Sequence, residues 1–192
     1  MARVDGAAGV VLVEGISDRV ALAALAARRG RDLDGERVVI LPMGGVTAIA
    51  NHLAPLLART SRPVIAGLCD AAEAPVFERA LTAAGLGPVG SRAEMAARGF
   101  FVCDADLESE LIRALGVGGV FALLAAHDDD RAFATFGKQA VWRERPIEAQ
   151  LHRFLRSSAA RNLRYARLLV EALPDDRVPA PLDAALAAVG IG

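Results

Sequence analysis

The sequence has little of several residue types, and each shortage excludes a class of protein. Its 192 residues include only two cysteines, which cannot form a disulfide scaffold. Aromatic residues make up 5%, so the core must consist mainly of Ala, Val, Leu and Ile. No apolar run reaches the ~18–20 residues that a membrane span needs. The N-terminus also lacks the basic segment and long apolar stretch of a signal peptide. We therefore predict a cytoplasmic protein without a membrane partner.

The chain also has almost no net charge and a single lysine, Lys138. Its 22 basic and 23 acidic residues give a formal charge of −1, which excludes a uniformly basic nucleic-acid clamp. The charge is uneven, however. Residues 138–167 hold eight basic and two acidic residues (net +6), whereas residues 1–137 hold 13 basic and 17 acidic residues (net −4). A hydrophobic content of 54% excludes a disordered chain.

Strand-like runs that alternate with helical patterns predict a parallel α/β sheet. The four predicted strands lie at 10–13, 37–41, 63–68 and 100–102, and helical patterns follow them at 20–29, 46–58, 75–84 and 107–115. Pro55 is expected to kink or end the second helix. From residue 117 onward only short helices are predicted. We expect a Rossmann-like core, residues 1–116, with helices on both faces of the sheet, and a helical segment, residues 117–192, packed on the core.

Acidic residues follow three of the four predicted strands. They are Glu14, Asp70, and Asp104 with Asp106. The carboxyl ends of parallel strands meet at one edge of a sheet, where ligands bind. Converging carboxylates repel one another unless a cation lies among them. Oxygen ligands favour Mg²⁺ or Mn²⁺, and no Cys/His pair has the spacing of a zinc site. The alternative for each acid is a helix cap or a favourable interaction with a helix dipole.

The segment Val-Glu-Gly-Ile-Ser-Asp at 13–18, followed by an Ala/Leu-rich helix, resembles the first motif of the Toprim domain. Topoisomerases, bacterial primases, recombination-associated proteins and OLD-family nucleases share this domain, and the Ser-Asp form is most similar to the OLD nucleases. Further similar segments follow in the family's order, over approximately residues 9–172: the Gly pair at 44–45, the acidic segments at 70–73 and 106–111, and the helix that begins near Arg164.

This resemblance implies Toprim-type, metal-dependent hydrolysis of phosphodiesters in nucleic acid, a DNA nuclease-like activity. The implied ligands of Mg²⁺ or Mn²⁺ are Glu14, Asp18, Asp70, Glu73, Asp106 and Glu108. Glu14 and Asp70 would also act in catalysis, with Arg161 and Arg164 supplying positive charge to the phosphate. Glycines would let the backbone approach the substrate closely, at Gly15, Gly44 and Gly45.

Two departures from the family pattern predict weakened activity. The second Asp of the Asp-x-Asp motif is Ala72, and the lysine expected four residues before Ala166 is Asn162. The alternative is therefore a non-catalytic Toprim-like module that binds nucleic acid, a nucleotide or a protein. A third hypothesis is primase-type nucleotidyl transfer. It is disfavoured because the sequence shows no nucleotide-binding or zinc-binding companion domain. OLD proteins usually carry an ATPase, but no P-loop motif occurs here. We therefore expect a free-standing protein, with a separate ATPase as a candidate partner.

The basic segment, residues 138–167, is predicted to contact nucleic-acid phosphates, with DNA as the expected partner and RNA as the alternative. The arginines assigned to these contacts are Arg143, Arg145, Arg153, Arg156, Arg161 and Arg164. A solvated helix face is the other interpretation. We interpret Trp142 as a packing anchor, the alternative being a platform for base stacking, and place His152 near the phosphates. The acidic run Asp128–Asp130 is predicted to be a solvated helix start.

Overall fold

The computed structural model describes residues 4–190, which include a four-stranded parallel sheet. The strands are β1 (Gly9–Val13), β2 (Val38–Pro42), β3 (Val64–Asp70) and β4 (Phe100–Cys103). Their order in the sheet is β2-β1-β3-β4, and every neighbouring pair is parallel. All five residues of β1 are buried, as its central position requires. The predicted fold class is confirmed.

Helices occupy most of the remaining chain. Pro55 lies inside the second helix, which continues for only two residues beyond it, in agreement with the expected early end. A short helix that the sequence analysis missed begins after Ser91, whose side chain accepts a hydrogen bond from the Glu94 N–H. The helices are α1 (Ile16–Arg28), α2 (Ile49–Leu57), α3 (Ala74–Ala83), α4 (Arg92–Ala96), α5 (Leu107–Ala126), α6 (Asp130–Gly137), α7 (Ile147–Leu155), α8 (Ala159–Ala172) and α9 (Ala180–Ala187).

The chain divides into two compact units, and the division differs from the predicted one. The first unit contains the described residues up to Asp106 and those from Ala180 onward, and the second unit is Leu107–Pro179. Gly116, the last residue of the predicted core, has φ 78° and ψ 155° and breaks α5, but both halves of α5 lie in the second unit. Helix α9, predicted to belong to the helical segment, instead contacts β3 and β4 in the first unit.

Side chains that alternate along β1 cover both faces of the sheet in the first unit. Val10 and Leu12 belong to a buried cluster with Leu53 of α2 and Phe77 of α3. Gly9 faces the other way, because a Cβ atom there would lie 2.9 Å from Cβ of Val189, just after α9. Helices therefore cover both faces, as predicted.

Helix α5 is the one described helix whose length and composition qualify it as a candidate membrane span, with a mean hydropathy of 1.6 over its most apolar window. The non-helical backbone at Gly116 divides it into two segments. Its first turn also contains the buried Glu108 and Glu110. The apolar length is therefore not a continuous helix, and the absence of a membrane partner stays a prediction.

Candidate metal centre

Three carboxylates meet at the carboxyl edge of the sheet. Glu14 follows β1, Asp70 is the last residue of β3, and Glu73 is the N-cap residue of α3. One carboxylate oxygen of each residue lies within 4.8 Å of the others. Strands β1 and β3 are parallel neighbours, so their carboxyl ends lie side by side. We call Glu14, Asp70 and Glu73 the carboxylate group.

A tight turn brings Glu73 back beside Asp70. The backbone N–H of Glu73 donates a hydrogen bond to the Asp70 carbonyl at 3.0 Å, and α3 begins directly afterwards. Ala72, which stands where the family has its second Asp, is exposed. The turn therefore places the side chain of Glu73 with Asp70 and Glu14. Glu73 is longer than an Asp and lies one position after the second Asp of the motif.

The carboxylate group carries unfavourable electrostatic energy. Burial, a side-chain hydrogen bond with Glu14, and the charges of Glu14, Asp70 and Asp18 raise the pKa of Glu73 to about 8. With all carboxyls ionised, Oε2 of Glu73 is buried and has no hydrogen-bond partner among residues 4–190. Either a proton or a cation would satisfy it. A group of oxygen ligands with one unsatisfied buried atom fits a hard divalent cation.

The neighbouring Cys69 is no candidate nucleophile. Burial raises the pKa of its thiol to about 12, and the negative charges of Asp70 and Glu73 contribute to the rise. Since the thiolate is the reactive form of cysteine, Cys69 is inert near neutral pH. Its side chain belongs to the buried core of the first unit.

Asp18, also a predicted metal ligand, caps the helix that follows Glu14. Its Oδ2 accepts a hydrogen bond from the Gly15 N–H at 2.8 Å, so that Asp18 fixes the turn between β1 and α1. Its charge contributes to the raised pKa of Glu73, but it lies outside the group of three whose oxygens lie within 4.8 Å of one another. The cap interpretation therefore applies to Asp18, and a role as a metal ligand stays a prediction.

The glycine pair after β2 lies next to Glu14. The Gly44 N–H donates a hydrogen bond to the Glu14 carbonyl at 3.1 Å. Gly44 and Gly45 have φ angles of 77° and 126°, a region that L side chains rarely adopt. Apart from the chain neighbours, no heavy atom of residues 4–190 lies within 4 Å of the position of a Cβ at either residue. This backbone is therefore open in the way that the predicted close approach requires.

Two further predicted ligands, Asp106 and Glu108, do not join the carboxylate group. Asp106 directly precedes α5, and Glu108 lies in the first turn of that helix, in the second unit. Within that unit Glu108 is buried, lies 3.7 Å from Arg156, and has a carboxylate oxygen within 4.8 Å of a ring nitrogen of His152. A second metal site at Asp106 and Glu108 stays a prediction.

Arg161 and Arg164, which were predicted to supply positive charge to the phosphate, form ion pairs with Asp129. Nη2 of Arg161 lies 3.4 Å from Oδ1 of Asp129, and Arg164 contacts Oδ2. The Tyr165 hydroxyl donates a hydrogen bond to the same Oδ2 at 2.8 Å. Burial and this hydrogen bond raise the pKa of Tyr165. We call these four residues the Asp129 network.

Asp129 corrects one prediction about the acidic run. It precedes α6 as a helix start should, but only 8% of its surface is exposed, so it is not solvated. The sequence gives no local sign of this role, because its partners follow more than 30 positions later. The only signal in the sequence was that the chain contains both an acidic run and, further along, an arginine-rich helix.

The other residues of the basic segment are mostly exposed. Trp142 stacks on Phe136 with ring centroids 5.4 Å apart, which supports the interpretation as a packing anchor. His152 lies 3.4 Å from Nη1 of Arg156. The exposed arginines among those assigned to phosphate contacts are Arg143, Arg145, Arg153, Arg156 and Arg164. Their contacts with nucleic acid stay a prediction.

The parallel β2-β1-β3-β4 sheet, with carboxylates after β1 and at the end of β3, is similar to a Toprim-type domain. Residues 7–70 match the family model described as "Overcoming lysogenization defect protein-like, TOPRIM domain". The predicted resemblance to the OLD-like Toprim domain is thus confirmed.

Solved structures similar to this chain include C-terminal regions of two OLD proteins. That from Xanthomonas campestris pv. campestris is 19% identical with a TM-score of 0.74, and the alignment covers 97% of this chain and 94% of that one. That from Burkholderia pseudomallei is 20% identical with a TM-score of 0.68, covering 96% and 97% of the two chains. Comparison with curated proteins gave no match. At these identities the similarity establishes the fold.

Proposed function

We propose that this protein is a metal-dependent phosphodiesterase that cleaves nucleic acid, with DNA as the expected substrate. The observation that carries the proposal is the group formed by Glu14, Asp70 and Glu73, in which two acids at adjacent strand ends meet an acid at the start of α3. Oε2 of Glu73 is buried there without a hydrogen-bond partner among the described residues. The match of residues 7–70 to the OLD-like Toprim model supports it, because Glu14 and Asp70 lie within the matched range.

In this proposal Glu14, Asp70 and Glu73 hold Mg²⁺ or Mn²⁺. Such a cation, when bound, supplies an activated water and neutralises charge on the phosphate. Without a cation, Glu73 keeps a proton beside Glu14 at neutral pH, because its pKa is raised to about 8. Asp18 keeps the turn after Glu14 in place through the Gly15 N–H. The open backbone at Gly44 leaves space for the substrate.

A non-catalytic Toprim-like module is the second candidate, and one observation favours it. Arg161 and Arg164, the cations nearest in sequence to the missing lysine at Asn162, contact Asp129. A positive charge on the phosphate in the transition state commonly contributes ~10²–10³ in rate. A protein without it would still bind a metal and nucleic acid but would cleave slowly.

Calorimetric titration with Mn²⁺ tests the metal centre. We expect the wild-type protein to bind Mn²⁺ at millimolar concentrations or below, and the double variant Glu14→Ala with Asp70→Ala to lose this binding. Asp34→Ala is the control, because Asp34 is an exposed acid that is distant in sequence from Glu14, Asp70 and Glu73. Absence of binding in the wild type, or binding that survives in the double variant, would refute the centre.

Cleavage of supercoiled plasmid in Mn²⁺ then separates the two candidates. Cleavage by the wild type that Glu14→Ala abolishes supports the phosphodiesterase. If the protein binds both Mn²⁺ and DNA but does not cleave the plasmid, the result supports the non-catalytic module. Cleavage that Glu14→Ala leaves intact contradicts the assignment of the centre.

A further inference from the structure

The candidate centre needs a cation from the protein for its substrate, a requirement that rests on the proposed function. Glu14, Asp70 and Glu73 concentrate negative charge in the first unit, and a phosphodiester adds more. The position that holds a lysine in the OLD nucleases is Asn162. Catalytic sites for phosphate chemistry commonly use Arg or Lys to stabilise the developing charge.

Arg161 and Arg164 are costly to recruit for this purpose. Both contact Asp129, which is 8% exposed and also accepts the Tyr165 hydroxyl. Breaking a buried ion pair is usually strongly unfavourable, because one charge is left without compensation. Arg161 also lies over the Phe154 ring, 4.2 Å from its centroid. A phosphate would have to compete with all of these contacts.

Arg92 is held much more weakly. Its Nη1 lies 3.2 Å from Oδ1 of Asp104, and the two side chains are 54% and 65% exposed. An exposed ion pair of this kind contributes little to stability, because water screens the two charges. A phosphate could therefore replace Asp104 as the partner of the guanidinium at little cost.

Arg92 also lies at the correct edge of the sheet. Asp104 directly follows β4, whose last residue, Cys103, is the register partner of Asp70. The two chains stay together beyond the strands, because the Ala71 N–H donates a hydrogen bond to the Ala105 carbonyl at 3.2 Å. The ion pair with Asp104 therefore holds Arg92 at the strand end adjacent to the one that carries Asp70.

We propose that Arg92 binds a phosphate of the nucleic-acid substrate at the candidate metal centre, and that this phosphate replaces Asp104 as the partner of its guanidinium. The planar guanidinium donates paired hydrogen bonds to two phosphate oxygens, a geometry that lysine cannot reproduce. Arg92 is thus a binding residue contributed by α4, the short helix that the sequence analysis missed.

Binding of a short DNA duplex across a range of salt concentrations tests this proposal, in the absence of divalent metal so that no strand is cleaved. Each phosphate contact contributes about −0.9 to the slope of log affinity against log salt. We expect Arg92→Ala to weaken binding and to make the slope shallower by about 0.9, and Arg92→Lys to retain the slope. Arg62→Ala, which removes an exposed arginine before the amino end of β3, should leave the slope unchanged.

Asp104→Asn distinguishes a phosphate contact from a structural ion pair. If Arg92 contacts phosphate, releasing it from Asp104 leaves DNA affinity equal or higher. If the ion pair itself is what matters, Asp104→Asn weakens binding as much as Arg92→Ala does, and the proposal is overturned. An unchanged slope in Arg92→Ala, or no duplex binding by the wild type at low salt, overturns it as well.

Mn²⁺ titration of the same variants keeps this proposal separate from the proposed function. Arg92→Ala should bind Mn²⁺ as the wild type does, since the guanidinium is not a metal ligand. If the wild type binds no Mn²⁺ but Arg92→Ala still makes the salt slope shallower, the phosphate contact stands and the metal-dependent function fails. If Mn²⁺ binds and the slope is unchanged, the reverse conclusion holds.

Discussion

The two units each contain a partly or fully buried acidic centre, and the two centres are in opposite electrostatic states. In the first unit, Glu14, Asp70 and Glu73 lie together, and their mutual repulsion with burial raises the pKa of Glu73 to about 8. In the second unit, Asp129 accepts contacts from two guanidiniums and a hydroxyl. The first centre consists of three carboxyls, whereas the second combines one carboxylate with two guanidiniums.

This difference separates a candidate binding site from a structural one. A cation would gain little at Asp129, because it would first have to displace two guanidiniums and the Tyr165 hydroxyl. A centre that keeps a proton to relieve repulsion gains from a cation, since the cation removes both the repulsion and the unsatisfied oxygen. We therefore propose the acidic edge of the sheet as the ligand site, and expect the Asp129 network to stabilise the second unit.

The largest expected effect concerns the Asp129 network. Asp129→Ala leaves two guanidiniums without their anion and the buried Tyr165 hydroxyl without its acceptor. Breaking a buried pair costs about 3–5 kcal/mol. We expect a loss of about 3 kcal/mol, at the lower end of this range, because Arg164 is 42% exposed and can be rehydrated. Urea unfolding followed by circular dichroism measures the change.

Asp130→Ala is the matched control for this prediction. Asp130 is the next residue, is exposed, and lies in the first turn of α6, where it interacts with the helix dipole. Its loss should cost about 0.3–1 kcal/mol. If Asp129→Ala costs no more than Asp130→Ala, then the contacts of Asp129 with the arginines contribute little to stability and the two centres do not differ in this way.

Much of the fold could be predicted because it depends on local patterns. The run from Gly9 to Val13 is apolar and bounded by turns, so a buried central strand is its expected structure. The order of strands and helices then gives the parallel sheet. The boundary between the units could not be predicted, because it depends on distant packing. Helix α9 has the composition of any short helix, and only its contacts with β3 and β4 assign it to the first unit.

The carboxylate group was predictable for a similar reason. Glu14 and Asp70 follow strands, and parallel topology brings strand ends together whatever their separation in sequence. Glu73 joins Glu14 and Asp70 only because of the turn after β3. The sequence indicated Glu73 as a substitute for the missing Asp at position 72, but it did not indicate the turn. The Asp129 network and the Arg92 contact both require pairs of residues that no local pattern connects.

A smaller effect is expected in the pH dependence of stability without metal. A carboxyl whose pKa is raised in the folded state binds a proton there that the unfolded chain has released, so stability falls as pH rises. For Glu73 this fall should extend from its ordinary pKa of 4.5 to about 8. Thermal unfolding across this range should show a decreasing Tm, which Glu73→Gln flattens and Glu78→Gln, on the same helix, does not. A Tm that is independent of pH in the wild type would mean that the three carboxylates do not repel one another in solution.

The smallest effect concerns the missing Asp of the Asp-x-Asp motif. Ala72→Asp restores the second carboxylate, but Glu73 already lies with Glu14 and Asp70, and residue 72 is exposed. We therefore expect Mn²⁺ affinity to rise by about tenfold or less, equivalent to about 1.4 kcal/mol. Calorimetry should show this gain for Ala72→Asp but not for Ala72→Asn, which has the same shape without the charge. A much larger gain would mean that Glu73 is a poor substitute and that the wild-type centre is incomplete. No gain would mean that the turn after β3 directs residue 72 away from the metal and that Glu73 is the ligand this chain uses.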